Sequence, residues 1–197
     1  MVGGLRIIVG PMFSGKTTEL LRVLRKYAIA GYRVVLVKPS TDTRYSSSKV
    51  VSHDGLEMDA LVVESDIAGF YRVRDILLEH DVIGIDEFQF FEYSKELVKF
   101  LLDLSSDRLV IVAALNLDFR GEPWEVVKEI LPHADDIRVL RAVCTHTGKD
   151  GKKCGRPATR TQRLLDGRPA PYDSPRVLIG GRESYEARCR KHHEVPK

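Results

Sequence analysis

The chain has 197 residues, with 31 Lys and Arg against 28 Asp and Glu, for a formal charge of +3. So even a balance gives no electrostatic ground for a nucleic-acid surface, and no apolar run reaches the roughly 18–20 residues that would span a bilayer. Hydrophobic residues make up 43%, enough for a buried core in one domain or in one domain with a small appendage.

Met1-Val2-Gly3-Gly4 lacks the basic and apolar regions of a secretory signal, so a cytoplasmic location is expected. Leu5 to Val9 is short, apolar and β-branched, as a buried parallel strand should be. Thr18 to Ala30 places Leu20, Leu21, Leu24 and Ala28 at helical spacing and stops at Gly31. Arg33 to Val37, Val82 to Ile85 and Leu109 to Leu115 read as further strands, and Lys95 to Leu104 as a helix. Strands alternating with helices predict an α/β fold with a mostly parallel sheet covered on both faces. Pro39 to Asp59 is polar, contains Ser46-Ser47-Ser48, and reads as a mobile loop. The pattern changes near Arg141. Residues 1–141 are expected to form the α/β domain, and 142–197 a loop-rich lobe too small for a core of its own and in need of a staple.

Between the first strand and the first helix, Gly10-Pro11-Met12-Phe13-Ser14-Gly15-Lys16-Thr17 fits GxxxxGK[ST]. Glycines let the backbone curl so that N–H groups face phosphate oxygens, and the helix that follows aims its positive end at the same place. In that pattern Lys16 reaches the β- and γ-phosphates of ATP and the Thr17 hydroxyl holds Mg²⁺. Val82-Ile83-Gly84-Ile85-Asp86-Glu87 ends an apolar strand in two carboxylates. Asp86 suits the second magnesium-holding position, and Glu87 is placed to accept the proton of an attacking hydroxyl. Phe88, Phe90 and Phe91 follow; each reads as core packing or, beside a candidate base, as stacking on a flat substrate. His53 reads as a solvated or loop-ordering residue and Trp124 as packing.

The three cysteines are an odd number and a poor disulfide framework. Cys189 and His192 are separated by two residues, and with Cys144 and Cys154 they make a Cys₃His set suited to structural Zn²⁺. The nine residues between Cys144 and Cys154 are wider than the usual two, and His146 and His193 compete as ligands. Free buried thiols are the plainer alternative.

GPMFSGKT, KPSTDTRYSSS, SHDG, GIDEFQFF, DFRGEPW, CGRPATRTQR and GGRESYEARCRKHH together resemble the zinc-containing (type II) thymidine kinase family, from Leu5 to His193 and in the family's order. The resemblance implies a P-loop, RecA-like α/β fold with a zinc lobe, assembled as a homotetramer. It implies phosphoryl transfer from ATP to thymidine or deoxyuridine, with dTTP as feedback inhibitor. It makes Glu87 the catalytic base and Asp86 the magnesium partner of Thr17. Asp42 and Arg44 would flank the transferred phosphate. Met12, Phe90, Leu115 and Phe119 would surround the thymine ring, and Thr161, Ile179 and Tyr185 would belong to a lasso-like loop over the nucleoside. Cys144, Cys154, Cys189 and His192 would hold Zn²⁺.

Three positions depart from that pattern. The Cys144 to Cys154 gap carries an apparent insertion around Gly148 to Lys153. Asn116-Leu117 stands where an Asp-containing turn is usual, and Phe88 where a small residue is usual. Two rival readings remain: an ATPase acting on nucleic acid through its C-terminal arginines, and an inactive nucleotide sensor.

Overall fold

The computed structural model describes residues 3–41, 49–51, 55–178, 180–181 and 183–197. A six-stranded parallel sheet forms its centre. The strands are β1 (Gly4–Val9), β2 (Val34–Pro39), β5 (Leu61–Val63), β6 (Val82–Ile85), β7 (Leu109–Ala114) and β8 (Asp136–Val139), in the order β5-β2-β6-β7-β1-β8. β7 is apolar and buried along its whole length because both faces are covered. Val110, Val112 and Ala114 face one core with Ile7 and Ile85, while Leu109, Ile111 and Ala113 face the other with Ile8 and Leu36. Helix α1 (Lys16–Ile29) covers the second face through Leu20, Leu21 and Leu24. Helices α2 (Ile67–Arg72), α3 (Arg74–Leu78), α4 (Lys95–Asp107) and α5 (Glu125–Ile130) cover the first. Ser94 caps α4 by accepting a 3.0 Å bond from the Leu97 amide, worth about 1 kcal/mol.

A parallel sheet brings the carboxyl ends of its strands to one edge. Val9 pairs with Ala114 in register, and Ile85 with Val112. The residues that follow these strands, Gly10, Asp86 and Leu115, are therefore neighbours along that edge, the usual ligand side of an open α/β sheet.

The loop expected over 39–59 is corrected in part. β3 (Lys49–Val51) and β4 (Glu57–Asp59) form an antiparallel hairpin with Val50 opposite Met58, and Val50 is buried against the α1 core. Three-residue strands, with two apolar residues in β3 and one in β4, give too short an alternation to stand out from a polar stretch. Ser46-Ser47-Ser48 and His53 lie outside the described residues. β5, β8, α2, α3 and α5 also went unforeseen; each is six residues or fewer.

Beyond Arg141 come short antiparallel strands: β9 (Ala142–Val143) with β10 (Pro157–Ala158), and β11 (Arg160–Leu165) between β12 (Arg168–Pro169) and β13 (Tyr185–Arg188). Their buried cluster is Ala142, Cys144, Ala158, Ala187 and Cys189. Side chains that small bury little apolar surface, so hydrophobic burial alone holds this region weakly.

Candidate active site

The loop after β1 is shaped by steric limits. A Cβ on Gly10 would sit 2.6 Å from the Leu140 carbonyl oxygen and 2.7 Å from Ser14 Oγ. Gly15 takes φ +81° at the N-cap of α1, a region that disfavours a side chain. Ser14 Oγ and Lys16 Nζ both donate to the Pro11 carbonyl, at 2.8 and 2.9 Å, and so brace the loop. The fourteen residues of α1 direct a positive dipole end into it.

Thr17 Oγ1 donates to the Asp86 carboxylate at 3.0 Å. Asp86 is buried, and desolvation first, with the charge of Glu87 second, pushes its carboxyl up to about 7. A bound divalent cation would reverse that cost, because it favours the ionised form. Glu87 has φ 51° and ψ 40°, a strained left-handed conformation for a residue with a side chain. That residue starts a 3-10 turn, Phe88–Phe90. Gln89, two residues on and buried, donates to the Glu87 carboxylate and accepts from the Leu115 amide at 2.9 Å.

Lys16, Thr17 and Glu87 open onto a cavity of about 220 Å³. Met12, Phe13, Gly15, Lys16, Thr17 and Glu87 line one side of its chemistry, and Met12, Phe90, Leu115, Phe119, Thr161 and Tyr185 the apolar part. Every described residue expected beside a thymine ring thus borders one space. Thr161 does so with a buried side chain whose Oγ1 accepts from the Met12 amide at 3.0 Å, tying β11 to the phosphate loop. Asp42, Arg44 and Ile179 lie outside the described residues. Of the three phenylalanines, Phe88 and Phe91 are core residues packed 5.8 Å apart, and half-buried Phe90 faces the cavity. Phe88 therefore packs beneath the site and does not crowd it.

Sequence reasoning missed Asp118, Trp124, Arg163 and Arg176 as cavity residues. Trp124 does more than pack: it is buried, meets Phe90 edge-on at 5.9 Å, and also lines the cavity. Arg163 is buried with its guanidinium 4.1 Å from the Phe119 ring centroid. It donates to the Tyr185 hydroxyl at 2.6 Å and to the carbonyls of Pro175 and Arg176, and the Tyr185 hydroxyl donates to the Leu178 carbonyl at 2.6 Å. Arg176 pairs with Asp118 at 2.9 Å, donates to the Pro123 carbonyl at 2.7 Å, and stacks 4.4 Å over Trp124. Arg120 reaches the carbonyls of Tyr172 and Ser174 at 2.7 and 2.8 Å. The segment 172–178 is thereby fastened in place, and its Arg176, Val177 and Leu178 line the cavity. Asp118 also accepts from the amides of Arg120 and Glu122, at 2.9 and 3.0 Å. It is the carboxylate that orders the loop carrying Phe119, two positions beyond Asn116.

Away from the cavity, Cys144, Cys154, Cys189 and His192 bring their ligand atoms within 4.8 Å of one another. His192 Nδ1 is 3.7 Å from Cys144 Sγ and 3.6 Å from Cys189 Sγ. A tetrahedral ion with sulfur at ~2.3 Å and nitrogen at ~2.0–2.1 Å requires S···N edges of about 3.6 Å. The cluster can hold a metal ion, and its donors fit Zn²⁺. His192 is held below the usual histidine range, by desolvation first and by His146 second, which keeps a ligating imidazole neutral. The competing histidines are engaged elsewhere: His146 packs 4.1 Å from the His192 ring and meets Arg188, and His193 Nε2 donates to the Phe119 carbonyl at 2.8 Å. The wide Cys144 to Cys154 gap closes as a hairpin. Thr147 bridges Lys153, Gly148 N–H bonds the Lys152 carbonyl, and Cys154 N–H bonds the His146 carbonyl.

A phosphate loop, a paired threonine and aspartate, and an apolar slot fastened from above describe a kinase for a small flat acceptor. The family model described as Thymidine kinase matches residues 3–193. The chain belongs to the thymidine kinase family. It is similar to a thymidine kinase of Pyrobaculum aerophilum, 52% identical over 96% of this chain and 98% of the relative. It is similar also to the thymidine kinases of Thermococcus kodakarensis, 50% identical over 98% and 95%, and of Coprothermobacter proteolyticus, 47% identical over 98% and 92%. Membership makes the chain a phosphotransferase. Among the described residues no helix is long and apolar enough to cross a membrane.

Proposed function

We propose that this enzyme transfers the γ-phosphate of ATP to the 5′-hydroxyl of thymidine or deoxyuridine, giving ADP and the 5′-monophosphate. The observation that carries the reading is that Glu87, Lys16 and Thr17 border the same cavity as the apolar slot of Met12, Phe90, Leu115 and Phe119. The 5′-oxygen attacks the γ-phosphorus as the bond to the β,γ-bridging oxygen breaks, and Glu87 takes the hydroxyl proton. Lys16 stabilises charge on the β- and γ-phosphates, while the phosphate-loop amides hold them in line. Mg²⁺, when bound with ATP, neutralises charge shared by those phosphates; Thr17 and Asp86 are the residues to hold it. Asp42 and Arg44 are proposed beside the transferred phosphate, and Ile179 in the segment over the nucleoside.

Main-chain groups of that segment would read the base edge. Cytosine presents a different donor and acceptor pattern and would leave buried groups unpaired. In the same reading, residues 1–141 bind nucleotide and residues 142–197 form a lobe whose Cys₃His set holds structural Zn²⁺. dTTP is a feedback inhibitor, since its thymine suits the slot while its phosphates reach the phosphate loop. The enzyme works in the cytoplasm as a homotetramer with no nucleic-acid partner. Light scattering tests the tetramer: a fully active monomer removes assembly from the mechanism.

The deciding test is ADP release with magnesium and each deoxynucleoside in turn. Turnover with thymidine or deoxyuridine, but not with deoxycytidine or purines, is expected. ATP binding without stimulation by any nucleoside would refute the reading.

A further inference from the structure

The proposed base, Glu87, reaches the cavity from a strained position that caps a three-residue turn. A glutamate has three rotatable side-chain bonds, and catalysis by proton acceptance needs its carboxylate held at the acceptor hydroxyl. Gln89 is the group built to hold it. The Gln89 side chain is 2% exposed, so its amide has no solvent to satisfy it. Its orientation is fixed by an asymmetric partner. The Leu115 backbone N–H can only donate, so the atom 2.9 Å from it must be the amide oxygen. The amide nitrogen then faces Glu87 and donates to its carboxylate. Phe88, between the two, is fully buried beside Phe91 and pins the turn to the core. Leu115 itself lines the cavity, so one amide spans the distance between the carboxylate and the wall of the acceptor slot.

We infer that Gln89 is a positioning residue for phosphoryl transfer, fixing the Glu87 carboxylate against the wall formed by Leu115. This rests on the assignment of Glu87 as base. Hydrogen bonds to charged groups are strong, and losing this one is expected to lower kcat by about 10- to 100-fold. Because the phosphate loop is untouched, KM for ATP should stay within about twofold; methionine also leaves the Leu115 amide without its acceptor, so a few-fold rise in thymidine KM is expected beside the larger fall in kcat.

The test is a double-mutant cycle of Glu87→Gln, Gln89→Met and both together, read by kcat and by both KM values, with binding of a fluorescent ATP analogue as a check of folding. Gln89→Met is expected to lower kcat in the wild-type background and to cause no further loss in the Glu87→Gln background. Independent, multiplying losses would overturn the inference, as would a raised thymidine KM with kcat intact, which is the signature of a purely structural support for Leu115. If Gln89→Met fails to bind the analogue, Gln89→Glu goes through the same cycle, since it retains the oxygen that accepts from Leu115. Loss of binding in both variants also overturns the inference. Near-normal turnover of Glu87→Gln alone is a separate outcome: it removes the base assignment and the positioning role with it.

Discussion

Arg176→Met should open the segment over the cavity and raise KM for thymidine. Arg176 makes an ion pair with Asp118, a hydrogen bond to the Pro123 carbonyl and a stack on Trp124. The Asp118 side chain is 1% exposed and Arg176 37%, so the pair is half wet. Losing a partner from a fully buried pair costs about 3–5 kcal/mol. Asp118 keeps two backbone donors here, so the penalty should fall to about 1–2 kcal/mol. The stack adds about 0.5–1 kcal/mol. A loss of about 2 kcal/mol from the closed arrangement corresponds to roughly 30-fold in thymidine KM. Steady-state kinetics with thymidine varied at saturating ATP measures it, and ATP affinity should hold, because Arg176 lies on the acceptor side of the cavity. A thymidine KM within twofold of the parent would refute the reasoning, since closure would then owe nothing to this latch.

Glu87→Gln should cut turnover by about 10²–10⁴-fold with ATP binding nearly intact; weakened binding with normal turnover would end its assignment as base. The purified enzyme should carry about one Zn²⁺ per chain by elemental analysis. Cys154→Ser should lower both that content and the melting temperature, whereas a folded, metal-free, chelator-indifferent protein would leave the cysteines as free thiols. Asp86 predicts a pH effect. Its carboxyl is raised from near 3.8 to about 7, so the native state binds the extra proton. Without nucleotide and magnesium, stability should fall as pH rises from about 4 to about 7, and Asp86→Asn should flatten that slope in denaturant melts. A slope that persists in the variant assigns the effect to other groups.

Much of the site was legible because its chemistry sits in contiguous residues. The phosphate loop, Asp86-Glu87 and Cys189 to His192 each carry their meaning in local spacing. Asp118, Arg163 and Arg176 were not legible, for a physical reason. Spread along the chain they resemble ordinary surface charges, and the eight C-terminal arginines even motivated a nucleic-acid reading. Only folding turns Arg163 inward onto Phe119 and Tyr185, and Arg176 onto Asp118.

The sequence alone determined the parallel α/β sheet, since runs such as Leu109 to Ala114 suit a strand buried on both faces, and the loop that follows the first strand. Tertiary structure decided what periodicity does not encode. It chose His192 over His146 and His193 as the fourth donor, by distance. It closed the wide gap before Cys154 with a hairpin, set Phe88 beneath the site and Phe90 on it, and paired Gln89 with Glu87. Each of those outcomes depends on which atoms meet across the fold, and a linear pattern fixes only the neighbours that lie within a turn or a strand.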